Sequence, residues 1–362
     1  MRVGKLGLAV LLGIAITGCS NEDEQVVKEV EENIEQVDAE EEVDETTTTV
    51  VEEEQFEYYY PLTGIGTNDE SVHQRAVAVM VNNHPNARPQ TGLTQADLVY
   101  EMLTEGDITR LLAFYQSDIP AKVGPVRSAR HDFIELSDGY DALYVYHGTY
   151  TILEQKLRNG LIDNISGSYH DNDGTVFERA NYRKAPHNSY LLFDGLNGVA
   201  TDRYNYSVTN EVGIPPLPFT SDDEETSGDD VQSVMITYSN SYYATVEYVY
   251  DQMQEKYTRF TGEDQTKDFE SDTPVLIDNI MIVEMNHQII DEVGRRDINL
   301  QSGGKGYLLQ KGKLQEIDWQ NVDGRILPFK DGQHVKFLPG KTWINIIPTS
   351  PGLAGAVSTG NE

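Results

Sequence analysis

The sequence predicts an α/β (α+β) N-terminal domain with a mixed sheet, followed by a smaller, mostly β C-terminal domain. Three observations support this. Ala76 to Val81 (AVAVMV) is a continuous apolar run, as suits a strand buried on both faces. From there to about residue 213, strand-like runs alternate with helix-like ones. Beyond Gln232, short apolar runs are separated by turns rich in Gly, Asp and Asn.

The 362 residues include 60 Asp+Glu against 27 Lys+Arg, a formal charge of -33. The length suits one or two domains, and so large a negative charge excludes a nucleic-acid binder. Residues 1–18 place Arg2 and Lys5 before an apolar run from Leu6 to Ile16, the layout of a secretory signal and too short for a membrane span. The run ends Ile16-Thr17-Gly18-Cys19, which resembles the bacterial lipobox, in which the cysteine is diacylated and becomes the mature N-terminus. Cys19 is the only cysteine, so no disulfide is available and the core alone must hold the fold. Two or more acyl chains make a durable anchor in a bilayer.

Residues 19–57 read as an acidic, disordered tether. From Ser20 to Glu57 there are 17 acidic residues against one lysine, Lys28, and such a chain repels itself rather than collapsing. The alternative is a solvated helix from Glu22 to Glu42, in which Val26, Val30, Ile34 and Val37 share a face.

The folded N-terminal domain is assigned to residues 58–213. Its elements in order are the Ala76–Val81 strand, strands at Asp97–Leu103 and Ile108–Tyr115 joined at Glu105-Gly106-Asp107, and a helix from Ala129 to Ser137 capped by Ser128. A strand at Ala142–Tyr146 and a short helix at Ile152–Arg158 follow. Residues 214–231, with Pro215-Pro216-Leu217-Pro218 and then acidic runs, read as a linker or long exposed loop. Residues 232–348 form the β domain, a sandwich or partly open barrel of seven strands, and 349–362 a flexible tail.

Against this acidity, basic residues gather at Arg127, Arg130 and His131, and again at Arg179, Arg183, Lys184 and His187. Arginine forks beside a helix N-terminus suit a phosphate or carboxylate. The competing reading is an internal ion-pair network with Asp132, Glu135, Glu101, Glu105 and Asp107. In Lys184-Ala185-Pro186-His187-Asn188, a proline turn presents a histidine and an amide in a loop, which either holds a polar ligand or is simply a satisfied loop. Glu101 and Glu105 invite a glycosidase reading, but four residues of strand span about 13 Å, beyond the roughly 5 to 9.5 Å of paired catalytic carboxylates. Either could still serve singly as the acid/base of a lytic transglycosylase. The 21 tyrosines suit stacking on sugars, although ordinary strand faces explain most of them.

No cofactor or metal is expected. The histidines lack ligand spacing and there is no second cysteine. Ser302-Gly303-Gly304-Lys305-Gly306 lacks phosphate-loop spacing, no G-x-S-x-G is present, and Asp171-Asn172-Asp173-Gly174 has Tyr182 where a calcium loop needs its last glutamate.

The chain resembles the YerB-like lipoproteins of Gram-positive bacteria, whose domain carries an unknown-function label. The resemblance rests on Pro61-Leu62-Thr63-Gly64, Ala78-Val79-Met80-Val81-Asn82-Asn83-His84-Pro85, Ala87-Arg88-Pro89-Gln90-Thr91-Gly92-Leu93 and Ala96-Asp97-Leu98-Val99-Tyr100-Glu101. It continues through Ile108-Thr109-Arg110, Gly124-Pro125-Val126-Arg127-Ser128-Ala129-Arg130 and Lys184-Ala185-Pro186-His187-Asn188 to Pro339-Gly340-Lys341-Thr342-Trp343-Ile344, covering nearly all of the folded chain. Tyr146-His147-Gly148 departs from the family pattern, where a smaller residue is expected before the glycine. The resemblance implies a location on the outer face of the cytoplasmic membrane, within the cell wall. The family motifs contain Glu101, Arg110, Arg127, Arg130, Lys184, His187 and Asn188, and Glu105 lies between two of them.

The leading expectation is an anchored envelope protein that binds an anionic cell-wall glycan or polymer through Arg110, Arg127, Arg130, Lys184, His187 and Asn188. The rivals are a glycan-strand-cleaving enzyme using Glu101 or Glu105, and a scaffold for envelope proteins.

Overall fold

The computed structural model describes residues 55–204, 215–221 and 225–360. The signal, Cys19 and nearly all of the acidic segment lie outside the described residues.

Three central strands come first: β1 (Val77–Asn82), β2 (Leu98–Leu103) and β3 (Thr109–Tyr115). Every residue in them is buried, which is why they read as unbroken apolar runs rather than as alternation. β2 and β3 form the expected hairpin, and β1 lies antiparallel to β3. After helix α1 (His131–Asp138), β4 (Leu143–Tyr146) runs parallel to β1; after α2 (Thr151–Arg158), β5 (Asn164–Ser166) runs parallel to β4. Helix α1 starts two residues later than expected. Arg130, in extended backbone, is its N-cap residue and makes no side-chain cap. The Ser128 carbonyl instead accepts from Arg110, which keeps that residue out of the helix.

Further elements of the first half were not foreseen, β5 among them. β6 (Phe177–Arg179) and β7 (Ser189–Leu192) join the short strand Lys122–Val123 in a three-stranded sheet, and α3 (Phe193–Tyr204) follows. The segment is polar, with its apolar residues confined to short runs, so neither period was visible.

The second half is mostly strand, as expected, but it is not a self-contained sandwich or barrel. β8 (Ser233–Thr237), β9 (Thr245–Asp251) and β10 (Lys256–Thr261) belong to a six-stranded sheet. β11 (Asn279–Met285), β12 (Gly304–Gln310), β13 (Lys313–Val322), β14 (Arg325–Lys330) and β15 (Thr342–Pro348) extend the sheet begun by the first half. Inward from the short edge strand Gln333–His334 the order is β14, β13, β12, β11, β15, β2, β3, β1, β4, β5, with β15 parallel to both β11 and β2.

One face of this sheet buries Ala78, Met80, Tyr100, Leu112 and Ile346 against Phe133 and Leu136 of α1 and Leu153 of α2. The other buries Val79, Val99, Leu111 and Ile280 against Ile236 and Tyr248 of the second sheet and Leu196 of α3. The result is a three-layer molecule with two cores.

Two boundary segments behave differently from expectation. In the supposed linker, Leu217 is buried and its N–H bonds Pro61 O at 2.9 Å, Phe219 bridges to Phe337, and Asp229–Asp230 pairs with β13. In the supposed flexible tail, α4 (Leu353–Ala356) leads into β16 (Val357–Gly360), which pairs with β8. Both carry apolar side chains into the core, which outweighs their turn-rich composition.

Candidate anion-binding site

The parallel strands β1, β4 and β5 end at the same edge, the position where ligands bind in open α/β sheets. Asn82, Asn83 and His84 follow from β1, and His147 follows β4. Arg110 begins β3 at this end, and Glu105 sits in the β2–β3 turn. The segment Gly124–Ser128 crosses the edge. Arg127 N–H bonds Met80 O at 2.8 Å, Asn82 N–H bonds Pro125 O at 2.8 Å, His147 N–H bonds Arg127 O at 2.9 Å, and Val126 N–H bonds Ser189 O at 2.7 Å. These bonds put Arg127 between β1, β4 and β7, and so bring the two basic clusters to one place.

Of the five carboxylates that could have neutralised the arginines, only Glu105 does. It is bound by Arg130 and lies 3.5 Å from Arg110. Glu101 pairs with Arg259, Asp107 accepts from Ser241 at 2.7 Å, Asp132 accepts Ile298 N–H at 3.0 Å, and Glu135 accepts from Gln301 at 2.5 Å. Burial, with Arg130 nearby, pushes Arg110 down to about 9. Burial and Arg130 likewise lower Arg127, whose Nε is buried without a partner. Three guanidinium groups therefore share one carboxylate, and like charges at short range raise one another's free energy.

The second cluster completes the rim. His187 stacks on His84 with centroids 4.5 Å apart. Lys184 is exposed and, with Arg183 and His187, lines a cavity of about 500 Å³ that also has Tyr182 and Phe269, stacked 4.9 Å apart, in its wall. Arg183 is held by the carbonyls of Asn86 at 2.8 Å and Pro89 at 2.5 Å. Asn188 is fully engaged: its Oδ1 accepts from Arg179 and its Nδ2 donates to Ala180 O, so it positions the loop. Among the described residues nine tyrosines are buried, including Tyr144, Tyr146 and Tyr248 of the sequence clusters, whereas Tyr182 is half exposed beside the cavity.

His147 is held in one form. Arg179 can only donate, so its bond of 3.2 Å makes His147 Nε2 an acceptor and places the ring proton on Nδ1, which donates to Ser189 Oγ at 2.7 Å. Ser189 has no base to activate it.

Glu101 lies outside this rim and is wholly buried. Its carboxylate accepts from Arg259 at 2.7 Å, Asn83 at 3.1 Å, Thr109 at 2.8 Å and Trp343 at 3.2 Å, while Arg259 packs over the Trp343 ring at 4.9 Å. No lone pair is left for a substrate. Burial pushes the Glu105 carboxyl up, but Arg130 and Arg110 outweigh it and hold it below the usual glutamate value, so it has no proton to give near neutrality. Sequence reasoning missed His84, Arg88 and Arg259. The His84-Pro85 step, like Ala185-Pro186-His187, places a histidine beside a proline and was the available signal for the first.

Among the described residues, no group of three His, Cys, Asp or Glu side chains is arranged to hold a metal, and no helix is long and apolar enough to cross a membrane.

The two regions joined by this sheet match two models of one family of unknown function, DUF3048: its N-terminal domain over residues 62–207 and its C-terminal domain over 234–344. The chain belongs to this family. YerB of Bacillus subtilis (strain 168), named as a lipoprotein, is 47% identical over 289 residues, covering 80% of this chain and 86% of the relative. The crystal structure of YerB superposes with a TM-score of 0.75 at 45% identity, covering 84% of this chain and all of the other. A lipoprotein relative and a lipobox-like Cys19 together make the protein a membrane-anchored lipoprotein of the cell envelope.

Proposed function

We propose that the protein, acylated at Cys19 on the outer face of the cytoplasmic membrane, binds an anionic cell-wall glycan or polymer at the edge described above. Arg127 is the central contact; Lys184 and His187 extend it along the cavity, and Arg110 and Arg130 supply field from behind. The observation that carries this reading is the single carboxylate shared by Arg110, Arg127 and Arg130 in a chain of charge -33. A fold that leaves cations uncompensated while spending its many carboxylates elsewhere has a place for an external anion. Tyr182 and Phe269 beside that place offer an aromatic wall suited to a sugar ring.

The test is co-sedimentation of the folded unit, residues 54–362, with purified sacculi. Retention that falls with added salt and disappears in Arg127→Ala is expected. Retention indifferent to both would sink the reading. Release of soluble muropeptides that stops in Glu105→Gln would replace it with the enzymatic alternative.

A further inference from the structure

We propose that His84 and His187 are a second set of ligand contacts: a stacked imidazole pair whose Nε2–H groups, beside the Arg127 guanidinium, receive a phosphoryl oxyanion of the ligand and take up a proton as it binds. This rests on the anion-site reading above and names the chemical group that the site takes.

The tautomers follow from the hydrogen bonds. Asn82 Oδ1 accepts His84 N–H at 3.1 Å, so its amide turns Nδ2 toward His187 and donates to Nδ1 at 2.9 Å. A neutral imidazole that accepts at Nδ1 carries its proton on Nε2. His84 Nδ1 accepts Asn86 N–H at 3.1 Å, so its proton is on Nε2 as well. Neither Nε2 has a hydrogen-bond partner among the described residues. Both rings are thus fixed as donors before any ligand arrives, the preorganisation that makes an anion site effective.

The charges that act on the pair are all of one sign. Besides burial, Arg127 and Arg88 lower His84, and His84, Arg127 and Arg183 lower His187. These cations come from the crossing segment, the loop after β1 and the loop before β7, and the principal charges acting on either ring include no carboxylate. An oxyanion placed beside them reverses that field and favours protonation of His187. The proton goes to Nδ1 as the Asn82 amide turns over to present Oδ1 in place of Nδ2, giving up its bond to His84 N–H, so ligand and one proton bind together. Donors from three separate segments suit a tetrahedral group with several oxygens, whereas a carboxylate offers two oxygens in one plane. The cavity beside His187 leaves room for the rest of the molecule.

Isothermal titration of the full chain with poly(glycerol phosphate), at pH 6.5 in two buffers of different ionisation enthalpy, tests this. The diesters do not titrate there, so proton uptake belongs to the protein. Buffer-dependent heat reporting uptake of up to one proton is expected, with affinity rising from pH 8 to pH 6. His187→Asn and His84→Asn keep an acceptor at the Nδ1 position and remove the Nε2 donor, and each is expected to lose about tenfold in affinity or more. His187→Gln restores a donor but cannot titrate, and is expected to bind better than the Asn variant with reduced proton uptake. A parallel titration with inorganic phosphate separates the two sources of the group: tight binding of it alone assigns a free phosphate or terminal monoester, and binding of the polymer assigns a diester backbone. Binding without proton uptake, or unchanged in both Asn variants, overturns the histidine proposal, while the anion-site reading stands if Arg127→Ala still abolishes it. Wild-type protein that binds neither probe overturns both.

Discussion

Glu101 and Arg259, 158 positions apart, meet in the interior with one guanidinium nitrogen donating to both carboxylate oxygens, at 3.0 and 2.7 Å. The first residue lies in the N-terminal family region and the second in the C-terminal one, so their pairing joins the two regions at depth. Burial works against the charge on Arg259, but Glu101 and Tyr248 outweigh it and hold the guanidinium above its ordinary value. Breaking such a pair leaves one buried charge alone.

Glu101→Gln or Arg259→Met is therefore expected to lower the unfolding free energy by about 3–5 kcal/mol. The double variant is expected to recover most of it, because the lost term is the uncompensated charge. Urea unfolding of the three variants measures this. A double variant that loses the sum of the two single losses would mean that the pair does not interact.

Arg127→Ala is expected to act in the opposite sense on stability. Removing one of three crowded cations relieves repulsion while Glu105 keeps Arg110 and Arg130, so the melting temperature stays level or rises by about 1–3 °C. Polymer binding falls at the same time by about tenfold or more. A loss of both would indicate that Arg127 is simply structural.

The pH profile has two limbs. Burial raises Asp97 and Asp132 to about 6, so the folded state binds their protons before the unfolded chain does, and stability rises as pH falls from 7 toward 4.5. Each contributes on the order of 2 kcal/mol to that rise. Glu105 is lowered, so its contribution is present above the unfolded glutamate value and is lost as pH falls below about 4. Burial lowers His84, His147, His187 and His287, the last to about 4, so their contribution is present at pH 7 and is lost as pH falls below the unfolded histidine value, which opposes that rise. Urea titrations of single variants separate the limbs. Asp132→Asn keeps an acceptor for Ile298 N–H, and is expected to flatten the upper limb and stabilise the protein at pH 7.5.

Gly139 and Gly324 touch backbone to backbone across the same two regions. A Cβ on Gly139 would lie 2.5 Å from Gly324 carbonyl carbon, and Gly324 has φ of 85°. Gly139→Ala is expected to cost about 1–3 kcal/mol, and calorimetry would detect the shift. An unchanged melting temperature would show that this contact yields freely.

The fold class was legible because β1 to β4 and their helices carry uninterrupted apolar runs or clear helical spacing. What the sequence concealed was partnership. Nothing local in Thr342–Pro348 tells that it pairs with Leu98–Leu103 rather than with its own neighbours, since register over 240 residues is decided by packing. For the same reason Glu101 read as a candidate acid: its identity was visible, but Arg259, Trp343 and Thr109 around it were not. Arg127 and His187 stand out because they belong to basic clusters set against an acidic background, whereas His84 is a lone histidine with no charged neighbour in sequence and no metal-ligand spacing.

The place of β15 also bears on how the chain folds as it is made. Its seven residues sit between β11 and β2, near the middle of the sheet. A chain synthesised amino end first presents β2 long before β15, and until Thr342–Pro348 has emerged, β2 has an open hydrogen-bonding edge. Neither half can finish alone during synthesis. Pairing across so much sequence is slow, so resistance to proteolysis arrives only once the whole polypeptide is available.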